Sequence, residues 1–135
     1  MKKPLPWLLA LYALASLAHF VHNAEYLSGY PNLPAWLSRV HIYAAWCGIT
    51  AIGLAGYTLY RRAHAFIGLG LLALYVSLGF DGLLHYGRAP MTAHTVAMNL
   101  TIWSEVAAAA LALVAVLTVA ATSLHAERLK GTAGV

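Results

Sequence analysis

Eight ionisable side chains fall within or beside long apolar runs of this chain: His19, His22, Glu25, His41, Asp81, His85, His94 and Glu105. An ionisable group placed in hydrocarbon is expensive, which makes such residues functional candidates by default. Imidazole and carboxylate together support three chemistries. They are a ligand set for a divalent transition metal such as Fe, Zn or Cu. Asp81-x-x-x-His85, with His94 nine residues on, offers three ligands from one helical hairpin. His22-x-x-Glu25 has the i, i+3 spacing of helical di-metal bundles, in reversed order. A metal held there would activate water or oxygen. The second chemistry needs no metal: acids and histidines in an apolar pocket move protons on a lipid-like substrate or stabilise a cationic ligand. The third is haem b, held axially by His19 or His22 with His85 or His94. Glu25 and Asp81 count against haem, which leaves carboxylates out of its inner layer.

Helical geometry groups these residues. At about 100° per residue, His22 shares a face with both His19 and Glu25 and is the central member of the three. Asp81 and His85, four apart, share a face. His94, Met98, Thr101 and Glu105 form one stripe, with Asn99 well off it. Each group also has a bland reading. His41 can be solvated at the headgroup level. Asp81 can cap a helix or pair with Arg88, and Glu105 can bond to Thr101 or Ser104. Asn23 and Asn99 read as interhelical glue.

The elements that must position these side chains are apolar helices. The 135 residues are 61% hydrophobic and 9% charged, with mean hydropathy +0.72; an average soluble domain is roughly 25% charged. Such a chain cannot coat itself in water, and an integral membrane protein is expected. Scattered basic residues at a formal charge of +4 do not point to nucleic acid. The single Cys47 allows no intrachain disulfide and no CxxC site. Spans long enough to cross a bilayer run over about 5–26, 37–60, 65–86 and 91–124. Lys2 and Lys3 before an apolar run open like a signal peptide, but the run is longer than an h-region and lacks a small-x-small site, so it reads as a retained span. No linker, repeat or second domain is visible.

Lys2, Lys3, Arg61, Arg62, Arg128 and Lys130 fall on one side of the spans and Arg39 and Arg88 on the other. This places both termini and the 61–64 loop in the cytoplasm of a bacterial-type inner membrane. Trp7, Tyr26, Tyr30, Trp36, Tyr60 and Tyr86 then sit near the interfaces as anchors. His64 and His125 fall on the cytoplasmic side. The other histidines, with Glu25 and Asp81, gather in an outer layer to which all four spans contribute, and Glu105 lies about 16 Å deeper than His94.

His22-Asn23-Ala24-Glu25-Tyr26, Tyr30-Pro31 and Trp36-Leu37 resemble the opening of the HXXEE-domain proteins, small bacterial membrane proteins of about four helices. Asp81-Gly-Leu-Leu-His85 and Ala89-Pro90-Met-Thr-Ala-His94-Thr resemble that family's second region. Tyr26 stands where the second Glu belongs. The resemblance implies His22, Glu25, His85 and His94 as site residues and implies no substrate. Four-helix sterol-isomerase-like proteins are a more distant analogy, implying a lipid pocket with paired acids.

The expectation is an all-α, four-helix membrane bundle with antiparallel neighbours. Its outer half holds a metal site drawn from His19, His22, Glu25, His41, Asp81, His85 and His94. The acid/base candidates are His22, Glu25, Asp81 and Glu105. The partner is a membrane lipid or lipophilic small molecule, with a homo-oligomer or a partner membrane subunit also open. Catalysis, haem electron transfer and metal-free binding all stay open from the sequence.

Overall fold

Pro4 and Pro6 open the first helix, where their missing N–H groups have no intrahelical partner to lose. The computed structural model describes residues 4–62 and 64–133, with side chains as far as 131; Lys2 and Lys3 lie outside the described residues. Helix α1 spans Leu5–Glu25, α2 Arg39–Arg61, α3 Ala65–Ser77, α4 Leu84–Arg88 and α5 Val96–Ala133. A 3-10 segment, Leu78–Leu83, joins α3 to α4 without a break. Four stretches are long and apolar enough to cross a bilayer: Leu5–Glu25, Arg39–Arg61, Ala65–Arg88 and Val96–Gly131.

Two boundaries differ from the sequence reading. The last helix starts at Val96, not near residue 91, because Met91–Ala93 form a short 3-10 turn after Pro90. Thr95 then caps it: its hydroxyl accepts from Met98 N–H at 3.2 Å, and its own N–H points at Met98 Sδ at 3.4 Å. His94 therefore precedes the helix instead of occupying its first turn. The same helix runs on to Ala133, well past 124. Helix α2 starts at Arg39, capped reciprocally by Ser38 and His41.

The helices pack as a closed ring, α1 on α2 and α5, and α3 on α2 and α5. One half of the interior is apolar, built from Leu5, Leu9, Tyr12, Leu72, Val76 and Ala112 among others. Tyr12 donates to the Tyr75 carbonyl at 3.1 Å and meets its ring edge-on. Lipid tails are as apolar as leucine, so close backbone approach and dispersion must hold such helices together. Glycines provide that approach. A Cβ on Gly68 would run into the Tyr60 backbone, and one on Gly79 into the Tyr12 ring and to 2.8 Å from Ala109 Cβ.

Gly79→Ala is therefore expected to lower stability in detergent micelles by about 1–3 kcal/mol through overpacking. Gly70→Ala, where nothing lies within 4 Å of the added methyl, should hold or raise it by up to about 1 kcal/mol. Thermal unfolding of the two variants checks the contrast, and equal effects would contradict the tight Gly79 contact.

Candidate functional site

Ser16 and His19, one turn apart on α1, are buried against α5, where Thr101 and Glu105 are one turn apart in their turn. His19 is 2% exposed and Glu105 1%. His19 Nδ1 lies 3.5 Å from Thr101 Oγ1, and its Nε2 lies 3.8 Å from Glu105 Oε2. The Thr101 hydroxyl donates to the Met98 carbonyl at 3.0 Å, so toward His19 it offers a lone pair. That arrangement suits the tautomer with its hydrogen on Nδ1, which turns Nε2 to the carboxyl. Neither Glu105 oxygen has a hydrogen-bond partner. At 3.8 Å Nε2 and Oε2 are neighbours beyond hydrogen-bond length, so the carboxyl keeps hydrogen-bonding capacity to spare inside the bundle.

The 3-10 segment lies directly over this pair. A Cβ on Gly82 would stand 3.6 Å from Glu105 Oε2 and 3.7 Å from His19 Nε2. Gly82, itself buried, packs its backbone against the pair. Asp81 and His85 flank it and, with His19, Asn23 and His41, line a cleft of about 170 Å³. Asn23 Nδ2 lies 3.3 Å from His85 Nε2. Asn23 Oδ1 and Asp81 Oδ1 are buried with no partner.

The Tyr26–Ser38 loop closes over the end of the bundle nearest the site. Asn32 takes a left-handed conformation, φ 56°, which asparagine tolerates. Its amide donates to the Arg88 carbonyl at 2.8 Å and ties the loop to α4. Tyr30, buried in that loop, packs its ring 4.8 Å from His85, centroid to centroid, and lies 2.9 Å from His22 Nδ1 through its hydroxyl. Burial pushes the Tyr30 phenol up to about 12, which keeps it a neutral hydroxyl beside His22. His94 meets His85 and Tyr86 at ring distances of 6.1 and 5.3 Å. Its Nδ1 faces the Pro90 carbonyl at 3.1 Å, and its buried Nε2 is unpartnered.

Several expectations change here. His19, not His22, is the central imidazole, touching Thr101, Glu105 and His85. His22 stacks on Tyr26 and reaches Tyr30, and it meets the histidines beyond only through that tyrosine. Glu25, with its side chain 43% exposed, accepts from Tyr43 at 2.9 Å and pairs with Arg39 at 3.4 Å. It anchors α1 to α2 and stands apart from the buried pair. The His22-x-x-Glu25 spacing is real, but its two members turn to different partners. His41 edges the cleft while serving mainly as the α2 cap. Glu105, read as deeper than the rest, joins the site because α5 begins late and His19 sits a turn below His22. Asn99 accepts from Tyr86 at 2.8 Å, the interhelical glue expected of it. Ser16 and Tyr30 were missed as site residues: Ser16 is not ionisable, and Tyr30 lies in a loop where helical angles say nothing.

Among the described residues, no group of three or more His, Cys, Asp and Glu side chains is placed to hold a metal ion. His19, Asp81 and His85 share a cleft but do not converge on one point within it. No family model, characterised protein or solved structure matches the chain.

Paired buried groups show their character when one is removed. His19→Leu alone strands the carboxyl and should cost about 3 kcal/mol, whereas the His19→Leu/Glu105→Leu double variant should match or exceed the parent. Chemical unfolding in micelles separates the outcomes. A double variant weaker than either single would make the pair structural.

Proposed function

We propose that this chain is a multi-pass membrane protein that binds a lipophilic molecule and transfers a proton at the His19–Glu105 pair. Four spans with antiparallel neighbours and both termini cytoplasmic fit the short connections and the charge asymmetry. Trp7, Leu54, Val96 and Leu100 point outward, as lipid-facing side chains would. The observation that carries the reading is the buried Glu105 carboxyl, which has no hydrogen-bond partner and whose nearest base is His19 Nε2. A carboxyl beside an imidazole offers an acid that donates to a bound group and a base that takes a proton back. The cleft lined by His19 and Gly82 gives the bound group its approach, and Thr101 holds the His19 tautomer. Asp81, Asn23 and His85 position the reacting end, and Tyr30 with its loop excludes water. Proton transfer is favoured over a metal or haem role because the imidazoles pair with Thr101, Asn23, Tyr30 and Pro90 instead of facing a common centre.

Incubating the reconstituted protein with total membrane lipid in D₂O tests this. Deuterium should enter a lipid species, detected by mass spectrometry. Glu105→Gln and His19→Ala should each slow incorporation by about 10²–10⁴-fold, and Glu25→Gln should leave it unchanged. No incorporation above a protein-free control would overturn the proposal. One equivalent of transition metal per chain by elemental analysis would favour the metal-holding reading instead. Tags at the two termini should both be accessible only from the cytoplasm, and an externally exposed carboxy terminus would overturn the orientation.

A further inference from the structure

The seam between α1 and α2 carries two openings in line. Near the loop end is the polar cleft bounded by His19, Asn23, Ala45, Asp81 and His85. Farther along lies an apolar groove of about 250 Å³, lined by Ala10, Ala13, Thr50, Gly53, Leu54 and Tyr57 among others. The step from Ala13 to His19 is about 9 Å along α1, and from Ala45 to Thr50 about 7.5 Å along α2. Helix α2 buries only Ile42, Gly53 and Gly56, so this side of the bundle is thinly covered.

The seam is unsatisfied along its length. The mid-helix hydroxyls of Thr58, Thr118 and Thr122 all donate to the carbonyl four residues back. The Thr50 hydroxyl does not, and it is buried without a partner beside the groove. The indole N–H of Trp46, which lies one turn before Thr50 on α2 and packs against Phe20 and Ile42, is buried and unpartnered as well. In the cleft the two unpartnered atoms, Asn23 Oδ1 and Asp81 Oδ1, are both acceptors. No lysine or arginine lines the cleft, and Asp81 is its one carboxylate. The chemistry that complements it is a cationic hydrogen-bond donor on an apolar chain.

We propose that the α1–α2 seam binds a lipophilic amine, with its ammonium against Asp81 and Asn23 and its chain in the groove past Ala13 and Leu54. An ether, ester or hydroxyl oxygen part-way along that chain would meet Trp46 and Thr50. The inference rests on the proton-transfer reading in taking the cleft as the seat of the reacting end.

The test is photolabelling in nanodiscs with a hexadecyl amine carrying a mid-chain diazirine, beside the matched alcohol and carboxylic acid. The amine should label α1 and α2 around Ala13 and Leu54 in preference to the acid. Asp81→Asn should weaken labelling at least about tenfold, the loss of one charge-assisted hydrogen bond. Leu54→Trp, at an exposed position that tolerates bulk, should block it while the protein stays folded. Glu105→Gln should keep the labelling and lose deuterium exchange. Equal labelling by amine and acid, or indifference to Asp81→Asn, would show ordinary lipid contact and overturn the proposal. Specific amine labelling without deuterium exchange in the parent would leave the seam assignment standing and remove the catalytic reading.

Discussion

A carboxyl group buried in an apolar bundle must find a proton or a counter-charge, and Glu105 has the His19 imidazole and the Ser16 hydroxyl beside it. An isolated carboxylate there would be prohibitively costly, so the distance from Glu105 Oε2 to His19 Nε2, 3.8 Å, constrains what surrounds it. Thr101 must present a lone pair to the far side of the imidazole, and does so by giving its hydrogen to the Met98 carbonyl. Ser16 must be small where α1 meets α5. The third long helix passes close above, with Gly82 set against the pair.

That close approach accompanies an irregular backbone. Six residues of 3-10 geometry are long for this conformation, which often marks strain or function inside a helix. Here the segment brings Gly79 onto Tyr12 and Ala109, and Gly82 onto the His19–Glu105 pair. The same tightening carries Asp81 and His85 to the cleft together. At the end of the bundle nearest the site, Asn32 and Tyr30 fasten the loop to the third span and to His85. The apolar half of the bundle supplies rigidity, and the polar half is where hydrogen-bonding capacity is left over.

Much of this was legible in the sequence. Periodicity and hydropathy give four helices, and the stripe His94, Met98, Thr101, Glu105 does face the interior, where His94, Met98 and Glu105 are buried. The Asp81–His85 pair does share one cleft. The rest depended on what single-helix geometry does not contain. Which of His19 and His22 is central is set by the rotation of α1 against α5, and that follows from glycine and alanine packing elsewhere. The contacts of Glu25 were not legible because its partners, Arg39 and Tyr43, lie beyond a loop. The start of α5 moved because Thr95 caps it through methionine, a pairing outside the usual Ser/Thr-x-x-Glu signature.

The central claim is that His19 and Glu105 act as one proton-exchanging pair, with the imidazole hydrogen on Nδ1 and Nε2 toward the carboxyl. Solid-state ¹⁵N NMR of histidine-labelled protein in bilayers reads both nitrogens directly. The Nδ1 resonance should be that of a protonated nitrogen. The Nε2 resonance should lie displaced from a free neutral imidazole acceptor and return to that position in Glu105→Leu. A His19 Nε2 signal that is indifferent to Glu105→Leu would contradict the account.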